Sequence, residues 1–218
     1  MRISERLGGL LVLTVVTALG AALPACANGP AVGERLAQRP WLVTVYYTAV
    51  ESYHHSPPVE VTGCPARPCS GAARTLGRYP AGFVEAVQAE GTGRITSGPH
   101  RGRYLNWSHD IGYWLDDAPR DANGRPLVPF RSAAADGIPD RTPVRMVNCG
   151  RLDSGAPVPG RVCRALRDAD WEIRDQFTPG YGGNHHIDLY IGEESEVDFA
   201  RSGWLYVTLT DVGLRLRT

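Results

Sequence analysis

Carboxyl groups are the side chains of this chain best suited to breaking a bond. Three aspartates stand in short segments of strand or turn character. Asp136 lies in Ala133-Ala-Ala-Asp136-Gly-Ile-Pro139, Asp175 closes Trp171-Glu-Ile-Arg-Asp175, and Asp188 lies in Gly183-Asn-His-His-Ile-Asp188-Leu-Tyr190. A carboxyl can protonate the leaving oxygen of a glycosidic bond once burial or a neighbouring carboxylate raises its pKa toward neutrality. Three of them on adjacent strands would supply that environment. Taken singly, each also reads as a turn residue, because aspartate side chains hydrogen-bond the backbone of β-turns. Glu90, in Glu90-Gly-Thr-Gly-Arg94, is a candidate further carboxylate at a groove, against the plainer reading of a solvated turn.

Other residues could assist. His54-His55 and His185-His186 suggest a metal, but adjacent strand residues point to opposite faces, so neither pair chelates readily. No His-Glu-x-x-His occurs, and no metal or other cofactor is expected. His186 is a candidate groove residue beside Asp188. Tyr104, Trp107, Tyr113 and Trp114 offer ring faces on which sugars could stack. The same rings could equally fill a core.

Of the five cysteines, Cys26 stands apart in Leu23-Pro24-Ala25-Cys26-Ala27. Arg2 and Arg6 precede an apolar run from Leu10 to Leu23, and small residues follow. Positive charge, apolar run and small-residue exit form a secretory signal peptide over residues 1–27. Cleavage before Asn28 fits the A-x-A rule, whereas a lipobox reading leaves Cys26 lipidated at the mature N-terminus. Either way the protein is exported, to the cell envelope or beyond, and touches a membrane only through that lipid. The even remainder, Cys64, Cys69, Cys149 and Cys163, suggests two disulfides. Sequence proximity favours Cys64–Cys69 and Cys149–Cys163, with a four-cysteine zinc site as the rival.

The elements that must position these groups read as mostly β. Gly and Pro number 25 and 17 of 218 residues, and few long helical periods occur, which favours short strands joined by turns. Residues 28–40 look like a linker, and 41–218 like a single domain. Trp41–Thr48 is a rich β run, and further strands are expected at Pro143–Asn148, His186–Ile191 and Leu205–Thr210. A short helix is expected from about Pro80, with Phe83, Val84 and Val87 on one face. Ser195-Glu-Val-Asp198 has the form of a capping box opening another. Net charge is zero, every basic residue is Arg, and no basic run occurs, so nucleic acid is not an expected partner.

The order and spacing of these segments resemble the three-aspartate (3D) domain, a relative of the catalytic domain of the membrane-bound lytic transglycosylase A family. Asp136 through Pro139 to Thr142 resembles the family's aspartate and Ile-Pro-x-Gly-Thr turn, with Asp140-Arg141 in place of Leu-Gly. Asp175 matches an aspartate entering a Thr-Gly-Gly loop, replaced here by Gln176-Phe-Thr-Pro-Gly-Tyr-Gly-Gly183. Ile187-Asp188-Leu-Tyr190 matches the family's Ile-Asp-Leu-Tyr strand, and Val43-Thr-Val-Tyr46 its first strand. Glu90–Arg94 through Tyr104–Ser108 looks like an insertion found in some exported members.

The resemblance implies a six-stranded double-psi β-barrel with short helices and a long loop-rich insertion. It also implies action on peptidoglycan or a related polysaccharide. Asp188 would be the acid and base, Asp175 would tune or orient it, and Asp136 would hold the Pro139 turn. Glu90, Tyr104, Trp107, Trp114 and His186 are the expected substrate-binding residues. A non-catalytic wall-binding or wall-loosening module is the alternative, and a secreted effector on a rigid barrel is another.

Overall fold

The structure, a computed structural model, describes residues 34–36 and 39–217. The expected signal peptide and Cys26 lie outside these residues. In chain order the strands and helices begin with β1 (Glu34–Leu36), β2 (Trp41–Val50), β3 (Pro58–Cys64), β4 (Arg74–Pro80) and α1 (Ala81–Glu90). There follow β5 (Thr92–Arg94), β6 (Tyr104–Ser108), β7 (Gly112–Asp116), β8 (Ser132–Ala134), β9 (Pro143–Asn148) and β10 (Arg151–Leu152). The chain ends with α2 (Gly160–Arg167), β11 (Trp171–Asp175), β12 (His186–Glu193), α3 (Phe199–Ser202) and β13 (Leu209–Arg217).

Six strands close on themselves in the order β13-β9-β11-β8-β12-β2, with β2 returning to β13. The β11–β8 and β12–β2 contacts are parallel and the other four antiparallel. This mixed ring is the expected six-stranded double-psi barrel. Closure removes the open edges that would otherwise invite pairing with another chain. Alternation along the strands fills the inside: Val43, Val45, Tyr47 and Ala49 of β2 meet Ile187, Leu189 and Ile191 of β12 in one core. The intervening residues of β2 and β12, among them Thr44, Tyr46, His186 and Asp188, therefore point outward. Glu34–Leu36, within the stretch read as linker, pair antiparallel with the end of β13.

The insertion between β2 and β8 carries strands of its own. The far end of β2 pairs in parallel with β5 at Ala49 and Val50, and β5, β6, β7, β3 and β4 continue from there. Helix α1 starts after Pro80 as expected and buries Phe83 and Val87. Gly91, at φ 85°, ends it by donating its N–H to Val87 O, a left-handed turn that suits glycine. Two carboxylates hold the joint between sheet and barrel. Glu194 accepts bonds from Val50 N and His54 Nε2, and Glu51 from the backbone of Thr96 and Ser97.

Some expected elements shift. The last strand runs from Leu209 rather than Leu205: Leu205 is buried in a turn, and Tyr206 sends its hydroxyl toward Glu90. The apolar run Leu205–Val207 packs from a loop, so its β propensity is overridden by tertiary contacts. No capping box forms before α3. Asp198 sits at its start with φ 57° and makes no side-chain cap bond, so the helix opens only at Phe199. Helix α2, whose spaced Val162 and Leu166 are buried, was not foreseen. Both disulfides form with the pairing that proximity favours, at Cα separations of 5.4 Å for Cys64–Cys69 and 5.7 Å for Cys149–Cys163, which fits an extracytoplasmic location. Their sulfurs are thereby excluded as zinc ligands.

Candidate functional site

The outer face of the barrel gathers two of the three aspartates across neighbouring strands. In register, Asp175 of β11 lies opposite Ala134 of β8, Ala134 opposite Asp188 of β12, and Asp188 opposite Thr44 of β2. Residues in register share a face, so these four side chains stand in a row. Asp175 joins that row through an irregularity. Between Ile173 and Asp175 the register with β8 slips, which turns Asp175 out of the phase that sends Trp171 and Ile173 into the core. Bulges beside active sites re-aim side chains in this way. Neighbouring strands lie about 4.8 Å apart, so two carboxylates separated by one alanine face each other across a small gap.

Both carboxyls sit at the floor of a cleft of about 830 Å³ between the barrel face and the insertion. Each keeps a partly exposed edge toward that cleft, yet burial dominates its titration. Burial raises the Asp188 carboxyl to about 7, the nearby Asp175 charge pushes in the same direction, and a bond from Thr44 opposes both. Asp175 is raised to about 6, again mainly by burial, although Ala122 N and Gln176 N both donate to it. Thr44 Oγ1 donates to Asp188 Oδ1 at 2.8 Å, and Tyr46 Oη donates to Asp175 Oδ2 at 3.1 Å. His186 Nε2 lies 2.9 Å from the same Thr44 hydroxyl, and burial holds its pKa below the ordinary value.

Glu90, on the last turn of α1, lines the same cleft. It accepts bonds from Tyr47 N and Tyr206 Oη. Burial first, and then the Asp188 charge, lift it to about 8. It is therefore not the solvated turn residue of the plainer reading. The helix C-terminus directs negative potential onto it, which acts in the same direction.

The remaining expected residues divide. His186, Trp107 and the edge of Trp114 line the cleft. The Trp114 ring is 2% exposed and lies under the Arg67 guanidinium, 5.4 Å from the ring centroid, so it offers no face to a sugar. Tyr104 does not line the cleft: its hydroxyl donates to Glu193. Asp136 stands exposed at the rim, where Oδ2 accepts the Gly183 N–H rather than holding the Pro139 turn. That turn is closed by Thr142 N donating to Pro139 O. Gly182 passes so close that a Cβ there would meet Asp136 Oδ2 at 2.0 Å. Asp136 thus fastens the loop 176–183, whose Phe177 ring stacks on His186 at 4.5 Å. His54 is engaged by Glu194, and His185 packs edge-on against Trp41. Sequence reasoning missed Thr44, Tyr46 and Tyr206, which orient the carboxyls. Thr44 and Tyr46 share one phase of β2, and that alternation was the available signal. A larger hollow of about 1000 Å³, lined by Arg131, Arg145 and Arg215 among others, holds none of these carboxyls and plays no part in their chemistry.

No family model matches this chain, and no curated protein does. Solved structures do. The fold is similar to that of Escherichia coli MltA with bound chitohexaose, at 15% identity over 81% of this chain and 71% of that one, with a TM-score of 0.48. It is similar to a membrane-bound lytic murein transglycosylase from Agrobacterium tumefaciens at 11% identity, over 81% and 73% of the two chains, with a TM-score of 0.47. For MltA from Neisseria gonorrhoeae the values are 12%, 82%, 73% and 0.47. At such identities the likeness concerns architecture alone.

Proposed function

We propose that this protein is an exported lytic transglycosylase that cuts the glycan strands of peptidoglycan, with Asp188 as its acid and base. The observation that carries this reading is the row Asp175–Ala134–Asp188 at the floor of a cleft. There burial keeps the Asp188 carboxyl protonated up to about pH 7. A protonated carboxyl at that depth can deliver its proton to the bridging oxygen of a strand lying in the cleft, and the C1–O bond breaks. Positive charge developing at C1 is stabilised by the neighbouring Asp175, whose two backbone N–H bonds and Tyr46 bond hold it in place. The C6 hydroxyl oxygen of the same muramoyl residue then bonds to C1, and its proton passes to the Asp188 carboxylate. The products are a 1,6-anhydro end and a free 4-hydroxyl, and water is not consumed.

Trp107 supplies an apolar wall for a sugar face, and His186, packed against Phe177, lines the cleft two residues from Asp188. Residues 1–27 serve as the export signal in this reading, with Cys26 as the site of any lipid, and residues 41–218 as the working domain. Mass spectrometry of peptidoglycan incubated with the mature protein tests the proposal. Products ending in 1,6-anhydromuramic acid, lost with Asp188→Asn, are the expected result. Reducing ends instead would mean hydrolysis. No product from a folded, wall-binding protein would leave a binding module.

A further inference from the structure

Arg67 reaches the cleft from an unexpected direction. It lies on the short loop closed by the Cys64–Cys69 disulfide, is exposed, and lines the cleft together with Trp107. Its guanidinium lies over the Trp114 ring, 5.4 Å from the centroid. Close to it also stands the turn that Gly124 N closes onto Asp121 O, where a Cβ on Gly124 would lie 3.7 Å from Arg67 Nη1. The guanidinium therefore lies against both an aromatic face and a backbone turn. That same turn carries Ala122, whose N–H binds Asp175. At this point of the wall, where an aromatic platform was expected from Trp114, the cleft presents a cation.

Neighbouring cations are committed elsewhere. Arg120 makes two bonds to Asp116, and Arg125 binds both Asp121 and Asp140. Arg67 feels Asp110, which is exposed and already accepts a bond from Ser108 Oγ at 2.7 Å. An exposed pair of this kind contributes on the order of 0–1 kcal/mol, so a ligand carboxylate held by both arms of the fork displaces it readily.

We propose that Arg67 reads a carboxylate borne on the substrate strand, and so makes the cleft selective for glycans with acidic substituents over neutral chitin-like ones. The proposal rests on the reading of this cleft as a glycan site. It names Arg67 as a specificity-determining residue, with no part in proton transfer.

The test is calorimetric binding of two probes: chitohexaose, which is neutral, and a peptidoglycan tetrasaccharide carrying its lactyl-peptide carboxylates. An Asp188→Asn background prevents turnover, and Arg67 is compared with Arg67→Gln and Arg67→Lys. The expected result is a loss on the order of ten-fold with Arg67→Gln for the acidic probe, typical of a hydrogen bond to a charged group. The loss should shrink with added salt, chitohexaose binding should be unchanged, and Arg67→Lys should fall between. Equal loss for both probes would reduce Arg67 to a prop for Trp114 and overturn the proposal, as would no loss for either. A parent protein that binds both probes but cuts neither fails the transglycosylase reading and leaves the Arg67 result standing. A parent that binds neither overturns both.

Discussion

Replacing Asp188 by asparagine should make the protein more stable as well as inactive, and the gain should grow with pH. In the folded protein the Asp188 carboxyl titrates at about 7 against an ordinary 3.8. Its folded pKa is raised, so the folded state binds the proton more tightly, and stability is lost as pH rises from the ordinary value through the folded one. At pH 5 that loss is roughly 2 kcal/mol, and at pH 8 it is complete at roughly 4 kcal/mol. Asparagine carries no proton to lose and can still accept the Thr44 bond. Between those two pH values the variant should therefore gain roughly 2–3 kcal/mol on the parent. At about 2–4 °C per kcal/mol for a domain of this size, the Tm gap should widen by roughly 5–10 °C. The charge of Asp175 contributes to the raised value, so removing Asp188 also relaxes Asp175, in the same direction. Thermal unfolding of both proteins in matched buffers from pH 5 to pH 8 is the assay. A gap that stays constant over that range would mean the carboxyl is ionised in the fold at no cost, and the case for it as an acid would fail.

Other expectations follow from the same geometry. Turnover should decline above about pH 7 as the Asp188 proton is lost, which a pH–rate profile checks. Tyr46→Phe removes a bond that steadies ionised Asp175. Less charge beside Asp188 at neutrality should then move the alkaline limb of that profile to lower pH, at a stability cost of about 1 kcal/mol. Gly93→Ala should destabilise by about 1–3 kcal/mol in denaturant titration, because its Cβ would meet Val87 Cγ2 at 2.4 Å and the Phe83 ring at 2.6 Å. Serine at both Cys149 and Cys163 should cost about 3 kcal/mol, as expected for a loop of that length, measured the same way.

The barrel was legible because its strands obey the alternation of a half-buried surface. Val43, Val45, Ile187 and Leu189 announce one face, and the polar residues between them the other. Asp188 could be placed from that phase. Asp175 could not, because strict alternation sends it inward with Ile173, and only the slipped register against β8 turns it out. The small residue between the two carboxyls, Ala134, was hidden in the run Ala133-Ala134-Ala135. Trp114 and Tyr104 misled as platforms because ring type says nothing about which face neighbours cover. Arg67 covers Trp114 from a loop more than forty residues earlier in the chain. Glu90 reads as easily as a turn residue in sequence because its burial depends on Tyr47 and Tyr206, both far away in the chain.

Strand β2 serves two sheets at once: its first half closes the barrel, and its end begins the insertion. The two walls of the cleft therefore share one continuous backbone. Swinging one wall from the other would shear the β2–β5 ladder and strip Val50 and His54 from Glu194. Any opening or narrowing of the cleft therefore has to flex β2 itself, so what a bound strand does to the insertion is felt directly in the barrel that carries Asp188.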